Sequence, residues 1–442
     1  MQSRLLIAHQ THHRRNNLIH LAIAGAHQCL DMRSLDERNR IATMSSSSSD
    51  LRRFLGLYYA YAFLFDFILA YAFYTALFQL EGLSLTEIGL LLAFWSATAI
   101  VLEMPSGALS DHFGRRWLLV SAPLFKALTF LLWIAAAGNF WLYALGFLFW
   151  SLAQALQSGS REALLYERME HEGRVEVFEK VLGRDNAAEE LGIGIGALLG
   201  GFVAYHSFDW GLWLSIPPLL LASIIAVWLH DTRRGAPASK TDETPATYLS
   251  HFADAVMEFR QHADLRFVTT YIAVGLVVFE LIEEFDQIYY LAVNLPVWAW
   301  GIVGAAVEFI YAAASIYAHR LAGRSWLAWL LPLLGGGLLI LSSIGTSPWF
   351  VLLLCLAYVL MAPLSVLAEA RFHRVMEGKS RATTTSALVM AENVSGIIGT
   401  LAFGFLAETI GILPAYGWAG LVMVPLSIWV AQGQRRGLRA TD

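Results

Sequence analysis

The sequence is poor in charged residues, which make up 15% of its 442 residues. A soluble protein usually has about 25%. Hydrophobic residues make up 57%, and the mean hydropathy is positive. Because so few charges could not keep a chain of this length in water, an ordinary soluble fold is excluded. We predict an all-α integral membrane protein.

Cysteines and the motifs of bound groups are also scarce. The two cysteines are Cys29, in a polar region, and Cys355, in an apolar run, which excludes a disulfide framework and a cysteine-based metal site. The sequence contains no phosphate-binding Walker loop, paired His/Cys ligand spacing, nucleophile elbow or nucleotide fingerprint. We therefore expect no metal, no cofactor, no nucleic-acid partner and no enzymatic activity, including ATP hydrolysis.

Long apolar runs recur along the chain, and twelve of them are long enough to cross a bilayer as helices. A polar stretch after the sixth run divides them into two bundles of six, over residues 51–229 and 267–431. We predict the twelve spans at residues 54–79, 88–109, 117–137, 140–160, 185–205, 210–229, 267–293, 298–319, 326–345, 348–368, 385–407 and 411–431.

The remaining segments are polar. Residues 1–50 are predicted to be a disordered tail, residues 432–442 a second tail, and residues 230–266 a linker with an amphipathic helix over Tyr248–His262. Met44 opens a serine-rich stretch that is a plausible start for a membrane protein. We expect translation to begin there.

Lys and Arg are absent from one set of connections between the spans. The six connections without them are Glu81–Glu87, Gly138–Asn139, His206–Asp209, Asn294–Val297, Thr346–Ser347 and Glu408–Gly411. From residue 51 onward, every Lys and Arg except Lys126 falls in the tails or the opposite connections. Positive charge concentrates on the cytoplasmic side of membrane proteins. The pattern therefore predicts twelve crossings, with both termini in the cytoplasm and the chain in the inner membrane.

Two short echoes indicate that the halves are related. Residues 160–163 resemble residues 367–370, and residues 188–192 resemble residues 391–395, in the same order in each half. A parallel duplication would produce such a repeat and a pseudo-two-fold axis between two bundles.

One hydrophilic stretch, Gly107–Arg116, joins the second and third predicted spans. It reads Gly107-Ala108-Leu109-Ser110-Asp111-His112-Phe113-Gly114-Arg115-Arg116. We predict a tight basic turn, since glycines let helix ends approach closely and an acid can pair with an arginine. The stretch resembles the signature loop of the major facilitator superfamily, with His112 at the position where arginine is common.

A second resemblance to that superfamily lies in the fifth span. Small residues at four-residue spacing let helices pack closely in lipid. The spacing is also similar to the helix-5 motif of the proton-linked drug antiporters of the superfamily, with Ala197 in place of its proline. All five glycines of the motif are present: Gly183, Gly192, Gly196, Gly200 and Gly201. On helix 4, Ala155 stands where a second antiporter motif has a buried arginine.

The seventh span carries the densest charge inside an apolar segment. Glu280, Glu283, Glu284 and Asp286 lie within seven residues, and Gln287 extends the face that the glutamates share. Each charge costs at least ~2.5–3.5 kcal/mol at a helix centre. We predict that these groups face a central pathway and that some of them are protonated. The alternative is that the cluster lies at the outer mouth.

Asp66 lies at the centre of the first span among many aromatic residues. Tyr59, Asp66 and Phe73 are seven residues apart and would share one face of a continuous helix. This pattern favours a cavity that binds an organic molecule by stacking and by one polar anchor. Alternatively, most of the rings face lipid or neighbouring helices.

Three further ionisable residues lie inside predicted spans. An isolated Lys126 ammonium in the third span is untenable, so we expect it to pair with Asp66 or with Glu103, or to lose its proton. Glu103 precedes Gly107 by one helical turn, which makes a gating role plausible. Glu308 is the deep carboxyl of the eighth span.

The resemblance to the major facilitator superfamily, over about residues 51–431, implies two six-helix bundles around a cavity open alternately to each side. Asp111, Arg115 and Arg116 would latch the halves in the outward-open state. It further implies a monomer in a lipid bilayer that moves a small organic solute between helices 1 and 7. Protons would be the coupling ion, and the helix-5 glycines favour efflux.

Two alternatives remain open from the sequence. A proton-linked uptake symporter for a sugar-like or metabolic solute would have the same architecture. A membrane sensor or scaffold without transport would also span the bilayer, although it has little reason to keep deep carboxyls. The direction of solute movement distinguishes an uptake symporter from an efflux carrier. Solute-dependent proton flux distinguishes a carrier from a sensor or scaffold.

Overall fold

A computed structural model describes residues 50–229, 262–375, 381–438 and 440–441, with the backbone alone at residues 103–113, 315–316, 381–384 and 386. Most of the predicted tail and of the amphipathic run Tyr248–His262 lies outside the described residues. The chain divides into two units after Gly56. Residues 50–56 of the first unit are helical. Everything below concerns the second unit, Leu57–Asp442.

Helices make up the described part of this unit, and strands are absent from it. In the N-terminal half, residues 57–229, the helices are α1 (57–65), α2 (Tyr74–Leu80), α3 (Leu85–Phe113), α4 (Arg115–Ile134), α5 (Phe140–His171), α6 (Phe178–His206) and α7 (Phe208–Ala226). In the C-terminal half, residues 262–438, they are α8 (Ala263–Thr270), α9 (Val277–Glu283), α10 (Asp286–Ala292), α11 (Val297–Tyr317), α12 (Leu327–Ser342), α13 (Phe350–Val375), α14 (Arg381–Ile410) and α15 (Ile412–Arg435).

Within the described residues, nine helical segments are long and apolar enough to cross a bilayer. Three of the twelve predicted spans are not among them. The first is broken into short pieces, α5 is long but less apolar, and α12 has 16 residues. Apolar helices of this kind satisfy their backbone groups internally, which is what a bilayer demands. A count of twelve crossings therefore stays a prediction.

The first predicted span is not the continuous helix that we expected. It bends at residues 66–68 and then forms a 3-10 turn over Leu69–Ala72 before α2 begins. Because of the break, the seven-residue spacing does not place Tyr59, Asp66 and Phe73 on one face.

Partners outside this segment satisfy the backbone groups that the break frees. The Lys126 ammonium donates to the Phe65 carbonyl at 3.1 Å, and the Leu69 and Ala70 N–H groups donate to the Ser215 hydroxyl at 3.1 and 3.2 Å. Freed backbone groups in a membrane segment require such partners.

The glycines of α6 lie against the broken segment. A Cβ on Gly192, Gly196 or Gly200 would overlap the backbone of Phe63, Ile68 or Leu69, respectively. Glycine is therefore required at these three positions, because the two backbones touch. Gly183 faces no neighbour within 4 Å, so this close packing does not extend to the first glycine of the motif.

The seventh predicted span is also interrupted. A π-helical stretch, Tyr271–Leu276, joins α8 to α9, and a turn at residues 284–285 separates α9 from α10. The acidic cluster lies at this second interruption. Single π-turns are frequent at functional sites, because they change the direction of the side chains that follow.

The described ends of the helices form two faces, one of which lacks Lys and Arg. We call the one with residues 81–84, 138–139, 207, 294–296 and 411 the charge-poor face, and the opposite one the arginine-rich face. The halves touch closely toward the charge-poor face. There a Cβ on Gly201 would overlap Gly301, and a Cβ on Gly89 would lie about 3 Å from Thr400 and Gly404. The Leu85 N–H also donates to Glu408 at 2.7 Å.

The stretch Gly107–Arg116 differs from the turn predicted for it. Helix α3 continues to Phe113, and only Gly114 separates it from α4. Gly114 has a φ of 80°, in the region that favours glycine. A single residue thus reverses the chain, and the aspartate of the motif lies in the last turn of a helix.

Candidate functional site

A cavity of about 420 Å³ lies between the two halves. This is within the usual range for small-molecule sites, roughly 300–1,000 Å³. Its lining includes Ala197 and Trp300, beside the close contacts of the charge-poor face, and Glu189, about two helical turns farther along α6 toward the arginine-rich face. Its charged walls are all acidic: Asp66 and Glu189 from the N-terminal half, and Glu280, Glu283, Glu284, Asp286 and Glu308 from the C-terminal half.

Asp66 is neutralised by Lys126, which lies outside the cavity lining. The ammonium lies 2.6 Å from the Asp66 carboxylate and 3.1 Å from the Tyr71 hydroxyl. Lys126 is 0% exposed and Asp66 4% exposed, so the pair is almost dry. Of the two partners that we considered for Lys126, the structure gives Asp66. A buried pair of this kind holds its helices firmly, since breaking it would leave an uncompensated charge.

Glu189 is the second acid of the N-terminal half, and it binds Arg161 of α5. The same guanidinium lies 3.2 Å from Asp185, one helical turn earlier on α6. The Tyr58 hydroxyl donates to the Arg161 carbonyl at 3.1 Å, which fixes α1 against the network. Both acids of this half that line the cavity therefore have a basic partner.

Tyrosines, rather than bases, hold the acids at the interruption between α9 and α10. Tyr416, Tyr358 and Tyr290 donate to Asp286 at 2.6, 2.9 and 3.3 Å. Tyr311 donates to Glu283 at 3.2 Å. Hydroxyl donors stabilise a carboxylate but do not cancel its charge. The pocket can therefore accept positive charge at these groups.

Several hydrogen bonds cross from one half to the other near α2. Tyr74 donates to Glu284. The Gln287 amide donates to the Tyr71 carbonyl at 2.7 Å and accepts from the Thr75 N–H and hydroxyl, both at 3.0 Å. The Gln287 side chain of the C-terminal half thereby satisfies backbone groups of the broken first span. We call this group of contacts the α2–α10 seam.

Of the predicted pathway residues, seven line the cavity: Asp66, Glu280, Glu283, Glu284, Asp286, Gln287 and Glu308. Tyr59 and Lys126 are not on its wall, and Lys126 acts from behind Asp66.

Among the predicted gating residues, the side chains of Glu103 and Asp111 are outside the described part, and Gly107 is described by its helical backbone. Arg115 pairs with Glu167 of α5, and Arg116 lies 5.4 Å from the Trp117 ring.

The sequence interpretation missed the aromatic wall and one acid. Trp95, Trp150 and Trp300 line the cavity, yet an aromatic residue on an apolar helix carries no signal that separates a cavity wall from a lipid face. Glu189 is not among the pathway residues that the sequence predicted. Glu189 matches Glu392 in the internal repeat, and this match is the signal that could have identified it.

An acid-lined cavity between two helical halves is typical of a secondary transporter. The family model for the Major Facilitator Superfamily matches residues 55–346, and the chain belongs to that superfamily. It is therefore a multi-pass membrane transporter and not an enzyme.

Individual relatives agree with this assignment. The chain is 29% identical over 123 residues to the multidrug resistance protein MdtH of Proteus mirabilis (strain HI4320), and the match covers 28% of this chain and 30% of that protein. The aligned part is thus less than a third of that relative's length.

Two solved structures share the fold. One is the nucleoside transporter NupG, at 14% identity, with a TM-score of 0.68, covering 86% of this chain and 98% of that one. The other is the xylose transporter XylE from E. coli in an inward-open conformation, at 14% identity and a TM-score of 0.61, covering 85% and 94%. Identities this low concern the fold alone.

Proposed function

We propose that the protein moves a small organic solute by alternating access, coupled to protons, and that it works in the direction of efflux. The observation that carries this proposal is the cavity with seven acidic side chains, of which two have a basic partner. Charges without a partner are costly at membrane depth. Proton binding removes that cost, so we expect protons to bind among the remaining five.

The α2–α10 seam supplies a way to couple protons to movement. Tyr74 donates a hydrogen bond to Glu284 across the two halves. A proton on Glu284 would weaken the carboxyl as an acceptor and loosen this contact. The charge-poor face would then open more easily, and loss of the proton would favour closure. In this scheme the described conformation, closed at the charge-poor face, is one of two end states.

Efflux is favoured over uptake by two similarities. The helix-5 glycine pattern resembles that of the drug antiporters, and the locally similar MdtH is named a multidrug resistance protein. The uptake symporter remains the competing proposal. A solute that accumulates inside cells against its gradient, driven by inward proton movement, would establish uptake.

We also propose that the protein works as a monomer in the inner membrane with both termini in the cytoplasm. The cavity is built within one chain, so no second copy is needed to complete it. The Lys and Arg distribution supports the orientation, with the charge-poor face outward. Alkaline phosphatase and green fluorescent protein fusions at Asp442 would test this orientation, since the first is active only outside and the second fluoresces only inside.

Proteoliposomes that contain a pH-sensitive dye test the proton coupling. A panel of organic solutes is applied under an imposed proton gradient, and solute-dependent proton flux is the expected result. Glu283→Gln should abolish the flux, because the amide cannot carry a proton, whereas the exposed Glu176→Gln should leave it unchanged. Absence of flux with every solute would favour the sensor or scaffold alternative. Unchanged coupling in Glu283→Gln would remove this residue from the mechanism.

A further inference from the structure

The cavity is strongly acidic even after its ion pairs are counted. Its lining contains no Lys, Arg or His within the described residues. Of the cavity acids in the N-terminal half, Asp66 pairs with Lys126, and Glu189 pairs with Arg161, which also binds Asp185. In the described part of the C-terminal half, five cavity acids remain without a base. Any neutral or anionic occupant would have to displace water from these acids without replacing the positive charge that they require.

The five acids differ in their hydrogen bonds, which indicates different roles. Glu283, Glu284 and Asp286 accept hydrogen bonds from tyrosines, so the protein itself already supplies donors to these three carboxyls. In the part of the chain that the structure describes, neither Glu280 on α9 nor Glu308 on α11 has a hydrogen bond or an ion pair. These two carboxyls line the cavity with their acceptor oxygens available to a ligand.

The opposite wall already binds an ammonium group, and it belongs to the protein. The Lys126 ammonium lies 4.2 Å from the Phe65 ring centre and 5.3 Å from that of Trp150, besides its bonds to Asp66 and Tyr71. A cation within about 6 Å of an aromatic face is stabilised by the ring. Because Asp66, Tyr71 and Trp150 also line the cavity, this part of its wall is made of groups that hold an ammonium cation.

We infer that the transported solute is an organic cation, an ammonium group on an apolar ring-bearing body, with Glu280 and Glu308 as its carboxylate anchors. The apolar body packs against Trp150 and Trp300, which line the same space. A volume of about 420 Å³ suits a molecule of this size. This inference rests on the proposed transport function, and it adds the charge of the solute.

Binding of a matched pair of probes to the purified full-length protein tests the charge directly. Benzyltrimethylammonium is the cationic probe, and neopentylbenzene, in which carbon replaces the nitrogen, is its uncharged isostere. Thermal unfolding in detergent is measured against the concentration of each probe. We expect the cation to raise the unfolding temperature at about tenfold lower concentration than the isostere, because only the cation can pair with the carboxylates, and tenfold corresponds to about 1.4 kcal/mol.

Variants test the two anchors. Glu308→Gln and Glu280→Gln should each weaken cation binding about tenfold and leave the isostere unaffected. Glu308→Asp, which keeps the charge, should restore most of the binding, and the exposed Glu176→Gln is the matched control. Unfolding without probe and size-exclusion elution show whether each variant is folded. A fold defect alone would weaken both probes equally.

The inference is overturned if the cation stabilises the protein no better than the isostere, or not at all. The anchor assignment is overturned if both glutamine variants bind the cation like the unaltered protein. The proton-flux assay separates these failures from failure of the proposed function. Flux driven only by neutral or anionic solutes would refute the cation and leave proton-coupled transport standing. Cation-selective binding without flux for any solute would refute proton-coupled transport and leave the cation site standing.

Discussion

The two halves of the protein treat their buried acids in opposite ways. In the N-terminal half, Lys126 binds Asp66 and Arg161 binds Glu189, so both cavity acids have a base within the chain. Among the described residues of the C-terminal half, five cavity acids lack a base, and tyrosines hold three of them. The cavity acids of the N-terminal half thus have their own cations, whereas those of the C-terminal half need positive charge from outside, which a carrier must bind and release.

The internal repeat places this difference at equivalent positions. Arg161 falls at the position of Ala368, and Glu189 falls at that of Glu392. Ala368 is buried and carries no charge, so this position of the repeat supplies no arginine to Glu392, the C-terminal counterpart of the acid. At these repeat positions, both halves therefore have the glutamate, and only the N-terminal half has the arginine.

The largest expected effect comes from removing the cation of a neutralised pair. Lys126→Met leaves Asp66 buried without a base and should cost about 3–5 kcal/mol of unfolding free energy. Glu283→Gln should change it by less than about 1 kcal/mol, because an amide replaces a group that has no base to lose. Thermal unfolding in detergent measures both variants.

The double variant Lys126→Met with Asp66→Asn is the control for that prediction. It should recover most of the lost stability, since no uncompensated charge remains. Equal losses in Lys126→Met and Glu283→Gln would mean that the two halves do not differ in the way that we describe.

A smaller effect is expected from removing a tyrosine donor in the C-terminal half. Tyr416→Phe removes the hydrogen bonds from the hydroxyl to Asp286 at 2.6 Å and to the Ile282 carbonyl at 2.8 Å. The expected loss is about 1–3 kcal/mol, the cost of an unsatisfied buried group. The exposed Tyr205→Phe should stay within about 0.5 kcal/mol. If Tyr416→Phe is as stable as Tyr205→Phe, tyrosines do not support the C-terminal acids.

The smallest effect is expected at the α2–α10 seam, where the unlike halves meet. Gln287→Leu removes the contacts to the Tyr71 carbonyl and to Thr75, which exist only while the halves are closed. We expect a shift of about 1–2 kcal/mol toward opening at the charge-poor face, or roughly five- to thirtyfold.

A membrane-impermeant thiol reagent measures that shift. It is applied from the charge-poor face to Ala72→Cys, a buried cavity residue, after both native cysteines are replaced by serine. Labelling should be faster in Gln287→Leu and unchanged in Gln154→Leu, whose side chain lines the cavity without a described hydrogen bond across the seam. Equal rates in the two variants would contradict a closing role for Gln287.

Much of the candidate site was accessible from the sequence, because charge is conspicuous in an apolar segment. Glu280, Glu283, Glu284, Asp286 and Glu308 were predicted from that contrast alone. Their tyrosine partners were not, since Tyr358 and Tyr416 lie on distant helices and look like ordinary apolar-helix residues. Pairs between helices depend on how the helices are rotated, which a single sequence does not encode locally.

The broken first span shows the same limit in the backbone. Residues 54–79 read as one apolar run, and apolarity determines membrane insertion but not helical continuity. The bend at residues 66–68 exists because Lys126, Ser215 and Gln287 supply hydrogen bonds from three other helices. A non-helical turn is stable in the hydrocarbon core of a bilayer only because these three side chains meet at it.

The sequence by itself determined that this chain is helical, lies in a membrane and carries acids too deep to be left alone. These properties follow from transfer free energies, which are additive along the chain. Tertiary structure alone decided which acids are neutralised and which remain available. That outcome depends on which side chains meet across helices, and the distance between an ammonium and a carboxylate is a property of the packed protein.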